Sequence, residues 1–272
     1  MERFSLDLAV SSRPASLSLS AGLPGRRYLS VVAIVACWQI GSALGLIPMR
    51  TLAAPSIILS TAWDLLMHGD LVGNLLVSLA RAATGFAMGA AIGGGLALVA
   101  GLSRIGEDVV DAPMQMLRTL PFLALVPLLI LWFGIGETPK IVLVAFGAAF
   151  PVYLNLFAGI RGVDTKLLEA GRVFGLSRRA LLAHVVLPGA MPGLLTGMRF
   201  ALGIAWLSLV VGEQINASSG IGFMINDARD FLRTDIIVVG LLVYALLGLG
   251  SDALIRGFER RAFAWRPSLM GR

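Results

Sequence analysis

Six stretches of this sequence, roughly residues 29–47, 75–102, 111–133, 139–159, 191–213 and 236–256, are long and apolar enough to cross a bilayer as helices. A hydrocarbon core demands about 20 such residues per crossing. Composition closes off the alternatives. The 272 residues are 57% hydrophobic and 14% charged, against about 45–50% and 25% in soluble domains. Mean hydropathy is +0.85. A water-soluble enzyme would need far more polar surface, and disordered chains are poor in the apolar residues that fill this one. The expected fold class is an all-α membrane protein with six transmembrane helices.

Basic residues orient the chain. The net charge of +6 reads as positive-inside charge, so no nucleic-acid partner is expected. With both termini inside, the cytoplasmic side collects Arg3, Arg13, Arg26 and Arg27, then Arg104. It also takes Arg161, Lys166, Arg172, Arg178 and Arg179 of the 160–190 loop, and Arg256, Arg260, Arg261, Arg266 and Arg272 at the end. Only Arg50, Lys140, Arg229 and Arg233 fall outside. That asymmetry predicts six crossings of a lipid membrane with both ends cytoplasmic. Residues 1–28, rich in serine, read as a flexible tail and 29–71 as the first helix with its outer loop. The transmembrane domain is placed at 72–260, and 261–272 as a cytoplasmic end. Tyr28, Trp132 and Trp265 read as interface anchors. Cys37 has no intrachain partner, and His68 and His184 lack ligand spacing, so no metal site is expected.

The second stretch carries Gly85, Gly89 and Gly93 on one helical face, which lets another backbone approach closely, within the chain in preference to a subunit interface. Pro113, Pro121 and Pro127 in the third stretch, and Pro139 and Pro151 in the fourth, predict kinks that lipid tolerates only where neighbours or a cavity compensate.

The 160–190 loop is the sharpest feature. Asp164 can cap a short helix, Gly175 suits the left-handed residue that ends it, and Ser177 can cap a second helix that Pro188 stops. Leu167, Gly171 and Phe174 fall on one face. An apolar face flanked by basic residues fits a protein-docking element, and equally a helix lying on anionic headgroups.

Glu169-Ala170-Gly171, then Gly175, then Val185-Val186-Leu187-Pro188 resembles the EAA loop of ATP-binding-cassette importer permeases. Gly171 stands where that family has a second alanine, and Val185 where it has isoleucine. RTLPFLALVPLLILWFGIGE, GIAWLSLVVGE and SSGIGFMINDARDFLRTD extend the likeness, over about residues 74–266, to permeases that import aliphatic sulfonates, taurine or nitrate. The sulfonate type is the nearest match. The resemblance implies the type I importer permease fold and an ATPase-coupling loop of Asp164, Leu168, Glu169, Ala170, Gly171, Phe174, Gly175, Leu187 and Pro188. It further implies a bacterial inner membrane, a homodimer, two ATPase subunits docked on the loops, and a periplasmic substrate-binding protein. The chain lacks the glycine-rich sequence that cradles ATP phosphates. It is accordingly expected to bind no cofactor and not to be an enzyme, with ATP and Mg on the partner ATPase.

Charges inside a bilayer are expensive, so each is a functional candidate. Arg81, Arg118, Arg199 and Glu213 are candidate pathway charges. The arginines either line an anion path, since a guanidinium binds a sulfonate through two hydrogen bonds, or pair with acids and headgroups. Arg81, four residues from Gly85, should point into the bundle. The polar 214–235 stretch reads as an outer loop, with Ser219, Gly220 and Gly222 as a candidate gate. An ion-driven secondary transporter and a non-transporting membrane scaffold remain the rival readings.

Overall fold

The computed structural model describes residues 26–262, so residues 1–25 of the expected tail and 263–272 of the C-terminal end, Trp265 included, lie outside the described residues. In chain order the helices are α1 (Arg26–Ala43), α2 (Pro55–Met67), α3 (Leu71–Leu102), α4 (Arg104–Thr119), α5 (Val126–Phe133) and α6 (Glu137–Arg161). They continue with α7 (Thr165–Val173), α8 (Arg178–Leu181), α9 (Leu187–Asn216), α10 (Ile221–Asp230) and α11 (Thr234–Ala262).

The glycine face of α3 sets the centre of the bundle. A Cβ added at Gly89 would lie 2.3 Å from the Ala145 carbonyl oxygen, and one at Gly93 2.2 Å from that of Ala149. Any side chain there would force α3 away from the backbone of α6, so the stripe packs within the chain, as expected. The other side of α6 receives α9, where a Cβ at Gly193 would lie 2.5 Å from the Asn155 carbonyl oxygen. Helix α6 is thus gripped on two sides, and Leu143, Val144, Val152 and Tyr153 on it are almost fully buried.

These contacts also fix direction. Gly85, Gly93 and Gly101 of α3 meet Val144, Ala149 and Ile160 of α6 in the same order, so the two helices run parallel. The chain between them must return along the bundle, and it does so as α4, a short 3-10 turn at Phe122–Leu125 and α5. This return is bent by 83°. The bend falls at Pro121, and Pro127 opens α5; proline cannot donate the hydrogen bonds that would have carried one helix straight through. The third expected span is therefore a broken one. Helices α9 and α11 then run antiparallel, joined by Trp206 Nε1 donating to Ser251 Oγ at 2.9 Å.

By length and composition four helices can cross a membrane, and a fifth if the bent pair counts as one span. The first expected span, 29–47, is met by α1, whose apolar part Leu29–Ala43 is shorter than the others. Three other elements differ from the sequence reading. Helix α2 stands in place of an expected outer loop, and α10 occupies the middle of the expected 214–235 loop. Pro188 does not stop the helix before it: a π-helical turn at Leu182–Val186 joins α8 to α9, making one helix from Arg178 to Ile215. The wide turn supplies an i→i−5 bond, Leu187 N–H to the Leu182 carbonyl, where Pro188 removes the donor of the regular ladder.

Candidate functional site

Two groups of residues, at opposite ends of the bundle, are candidates for function. At the end reached by the C-terminus of α6 lies the loop α7–α8. Asp164 Oδ1 accepts from the Lys166 amide at 2.9 Å and starts α7. The helix closes on Gly175, at φ 77°, with Leu176 N–H bonded to the Gly171 carbonyl and Gly175 N–H to that of Arg172, both at 3.0 Å. This pair of bonds around a left-handed residue is the Schellman end. Ser177 Oγ then caps α8 through the Ala180 amide. Gly171 is buried, and a Cβ there would lie 2.9 Å from Leu181 Cδ2, a flexible methyl that can yield. The glycine that replaces the family's alanine therefore seats α7 closely on α8.

What the loop shows outward is apolar. Phe174 is 83% and Val173 86% exposed, with Leu167 at 58%, and Lys166, Glu169, Ala170, Arg172, Arg178 and Arg179 are exposed around them. Leu168 is half-buried, while Leu187 and Pro188 are exposed in the first turn of α9. Two rigid caps hold a protruding hydrophobic tip amid basic side chains. The base of the loop is tied down by Arg161, which ion-pairs with Glu107 of α4 and lies over the Phe157 ring.

At the other end Arg81, with 4% of its side chain exposed, is the centre of a charge cluster. Its Nε and one terminal nitrogen donate to the two oxygens of Glu137, at 2.5 and 2.7 Å. The other terminal nitrogen donates to Glu213 Oε1 at 2.7 Å and to the Ser219 carbonyl at 2.6 Å. Lys140, expected from sequence in an outer loop, is buried in α6 and donates to Glu137 Oε1 at 2.9 Å. Two cations and two carboxylates give a neutral cluster, which lowers the cost of holding such charges in an apolar bundle.

Glu213 has a fully buried side chain and organises the turn that leads into α10. Besides Arg81 it accepts from Ser78 Oγ at 2.8 Å, Tyr244 Oη at 3.1 Å and the Gly222 amide at 2.8 Å. Ser78 Oγ in turn accepts from the Ile221 amide, and Asn74 Oδ1 from the Gly220 amide. The first turn of α10 is therefore folded over the carboxylate. A Cβ at Gly220, which has φ 112°, would lie 2.4 Å from Glu213 Oε1, and one at Gly222 2.6 Å from Glu213 Cβ. These glycines are required by the wrapping itself. The structure thus brings Arg81, Glu213, Ser219, Gly220 and Gly222 together. It leaves Arg199 elsewhere, paired with Asp252 and Glu259, and Arg118 exposed in the last turn of α4. Sequence reasoning does not find Ser78, Asn74, Glu137, Lys140 or Tyr244 as partners. Glu137 opens an apolar run, and that position is the signal by which an intramembrane acid could be flagged.

Known proteins share this architecture. The family described as binding-protein-dependent transport system inner membrane component matches residues 72–264. A Bacillus subtilis (strain 168) protein named as an aliphatic sulfonates transport permease, SsuC, is 45% identical over 91% of this chain and 92% of its own. The Escherichia coli (strain K12) protein of the same name is 47% identical over 87% and 90%. The taurine transport system permease TauC of Escherichia coli (strain K12) is 32% identical over 87% of this chain and 88% of its own. In fold, the chain is similar to a chain of the MetNI methionine ABC transporter in an inward-facing conformation, with TM-score 0.57 and 21% identity over 70% of this chain and 97% of that one. The chain belongs to the binding-protein-dependent transport system inner membrane components, multi-pass permeases of ABC transporters.

Proposed function

We propose that this permease is the membrane pathway of an ATP-driven importer of aliphatic sulfonates. Its likeness to the SsuC permeases, at 45 and 47% identity over most of both chains, carries the substrate class. Taurine, itself a sulfonate, is the second reading, supported by the likeness to TauC. Two copies of the chain would form the path, each presenting its Val173–Phe174 tip to one of two ATPase subunits. ATP and Mg then belong to the ATPases, and this chain binds no cofactor and hydrolyses nothing. The capped, protruding tip supports that role, because a rigid contact transmits a partner's movement where a mobile one would absorb it. A periplasmic binding protein would meet the opposite end, where α10 covers Glu213. Of the charged candidates, Glu213 is the positioning residue that holds this cover in place, with Arg81 bonded to it.

The decisive experiment reconstitutes the permease in liposomes with its ATPase and binding protein and measures uptake of radiolabelled ethanesulfonate. ATP-dependent accumulation is expected; accumulation that follows an ion gradient without ATP would establish the secondary-transporter reading instead. Orientation is checked separately. Cysteines introduced at Ser177 and Ser219 are expected to react with impermeant thiol reagents from the cytoplasmic and periplasmic sides respectively. Labelling of both from one side would refute the topology with both termini cytoplasmic.

A further inference from the structure

Arg81 and Lys140 are both buried, each with 4% of the side chain exposed, and they share one carboxylate. That carboxylate, Glu137, is the exposed member of the cluster, with 56% of its side chain open. The two acids on Arg81 are thus unlike. Glu213 is fully enclosed and bonded by Ser78, Tyr244 and the Gly222 amide, so it cannot leave without unfolding the first turn of α10. Glu137 has no other protein donors among the described hydrogen bonds than Arg81 and Lys140. It is the first residue of α6 and comes after a segment that turns through Gly134 at φ 76°.

Charge arithmetic identifies a replacement for it. With Glu137 turned outward, Arg81, Lys140 and Glu213 carry one net positive charge, and a single monoanion restores neutrality. The vacated donors are the Nε edge of a guanidinium, a planar pair that fits two oxygens of a tetrahedral anion, with an ammonium beside it. The N-terminus of α6, which Glu137 opens, adds favourable potential for the same charge.

We propose that Arg81 and Lys140 form an exchangeable anion site in which Glu137 is the resident ligand and a small sulfonate its replacement. The choice of a sulfonate rests on the importer reading; the exchange rests on the geometry. Glu137 keeps the buried cations neutral between transport cycles, and an arriving anion displaces it.

The test uses the permease purified with its ATPase in phosphatidylcholine nanodiscs, with ethanesulfonate as the probe and chloride at equal ionic strength as the reference. Glu137→Gln removes the resident charge, and Glu137→Ala also opens the space. Ethanesulfonate is expected to raise the melting temperature of both variants by several degrees over chloride, saturably. Wild type, whose own carboxylate competes, should shift less, and adding Arg81→Gln to either variant should abolish the response. Shifts no larger than in wild type, or unaltered by Arg81→Gln, would overturn the site. So would stabilisation by phosphatidylglycerol in the disc and none by ethanesulfonate, which would assign the cations to a lipid headgroup. Uptake keeps the two readings apart. Saturable stabilisation without sulfonate transport removes the importer reading and leaves the site; transport without stabilisation does the reverse.

Discussion

Glu213→Ala is expected to destabilise the folded permease by about 3–5 kcal/mol, the usual cost of stranding one member of a buried ion pair. The substitution removes the acceptor of Arg81, Ser78, Tyr244 and the Gly222 amide together. It leaves Arg81 and Lys140 with Glu137 alone, one positive charge in excess. The first turn of α10 should detach as well, because Gly222 loses its partner and Ser78 loses the group that orients it. Two measurements check this. The melting temperature in detergent should fall well below wild type, and a cysteine at Ser219 should become more reactive in membranes. Glu213→Gln, which keeps the shape and one acceptor, should fall between. Wild-type melting and labelling in the alanine variant would show that the cluster does not hold the outer end together.

Gly175→Pro is expected to abolish coupling while leaving the bundle intact. Gly175 adopts φ 77° and its amide bonds to the Arg172 carbonyl. Proline is fixed near φ −65° and has no amide hydrogen, so it denies both. The turn between α7 and α8 must then open, and the Val173–Phe174 tip loses its fixed position. No other helix leans on Gly175, whose Cβ position is open space, so the spans should assemble normally. Uptake is expected to fall at least tenfold at unchanged membrane level, and ATPase stimulation by the loaded binding protein should fall with it. Phe174→Ala, which shortens the tip and leaves the turn, should lower both several-fold. Normal uptake in the proline variant would remove the coupling role from this loop.

These two sites differ in how far the sequence discloses them, and the reason is distance along the chain. Everything that shapes the α7–α8 loop is local. Asp164, Gly175 and Ser177 each act on an amide or a dihedral within a few residues, so capping rules reach them. Local rules fail nearby only at Pro188, where a π-helical turn provides the bond that a regular helix would have lost. The charge cluster is the opposite case. Arg81 is 56 residues from Glu137 and 132 from Glu213, so depth in the membrane shows that it needs partners without naming them. Lys140 misleads for the same reason, since a basic residue at the start of a span looks like a loop charge until its partner is known. Helix α10 is legible in part. Ile221, Met224, Ile225 and Ala228 keep helical spacing and are buried, but Asn226 and Asp227 between them and Arg229 after them give the stretch the composition of a loop.

The separation of Arg81 from its carboxylates also bears on how the protein is made. A chain that enters the membrane from its N-terminus delivers Arg81 before Glu137, and Glu137 well before Glu213. Until those acids arrive, helix α3 carries an uncompensated charge, whose insertion cost reaches about 2.5–3.5 kcal/mol only at a helix centre and falls toward its ends, alongside a bare glycine face. Helix α3 is still long and apolar enough to cross by itself, with its arginine leaning toward headgroups until those acids arrive. Arrival of α6 supplies Glu137 and covers the glycines in the same step, and arrival of α9 neutralises the cluster. Substitutions at Glu137 or Glu213 should accordingly show first in biogenesis, as a nascent chain that stays protease-sensitive, before any defect in the finished protein is measured.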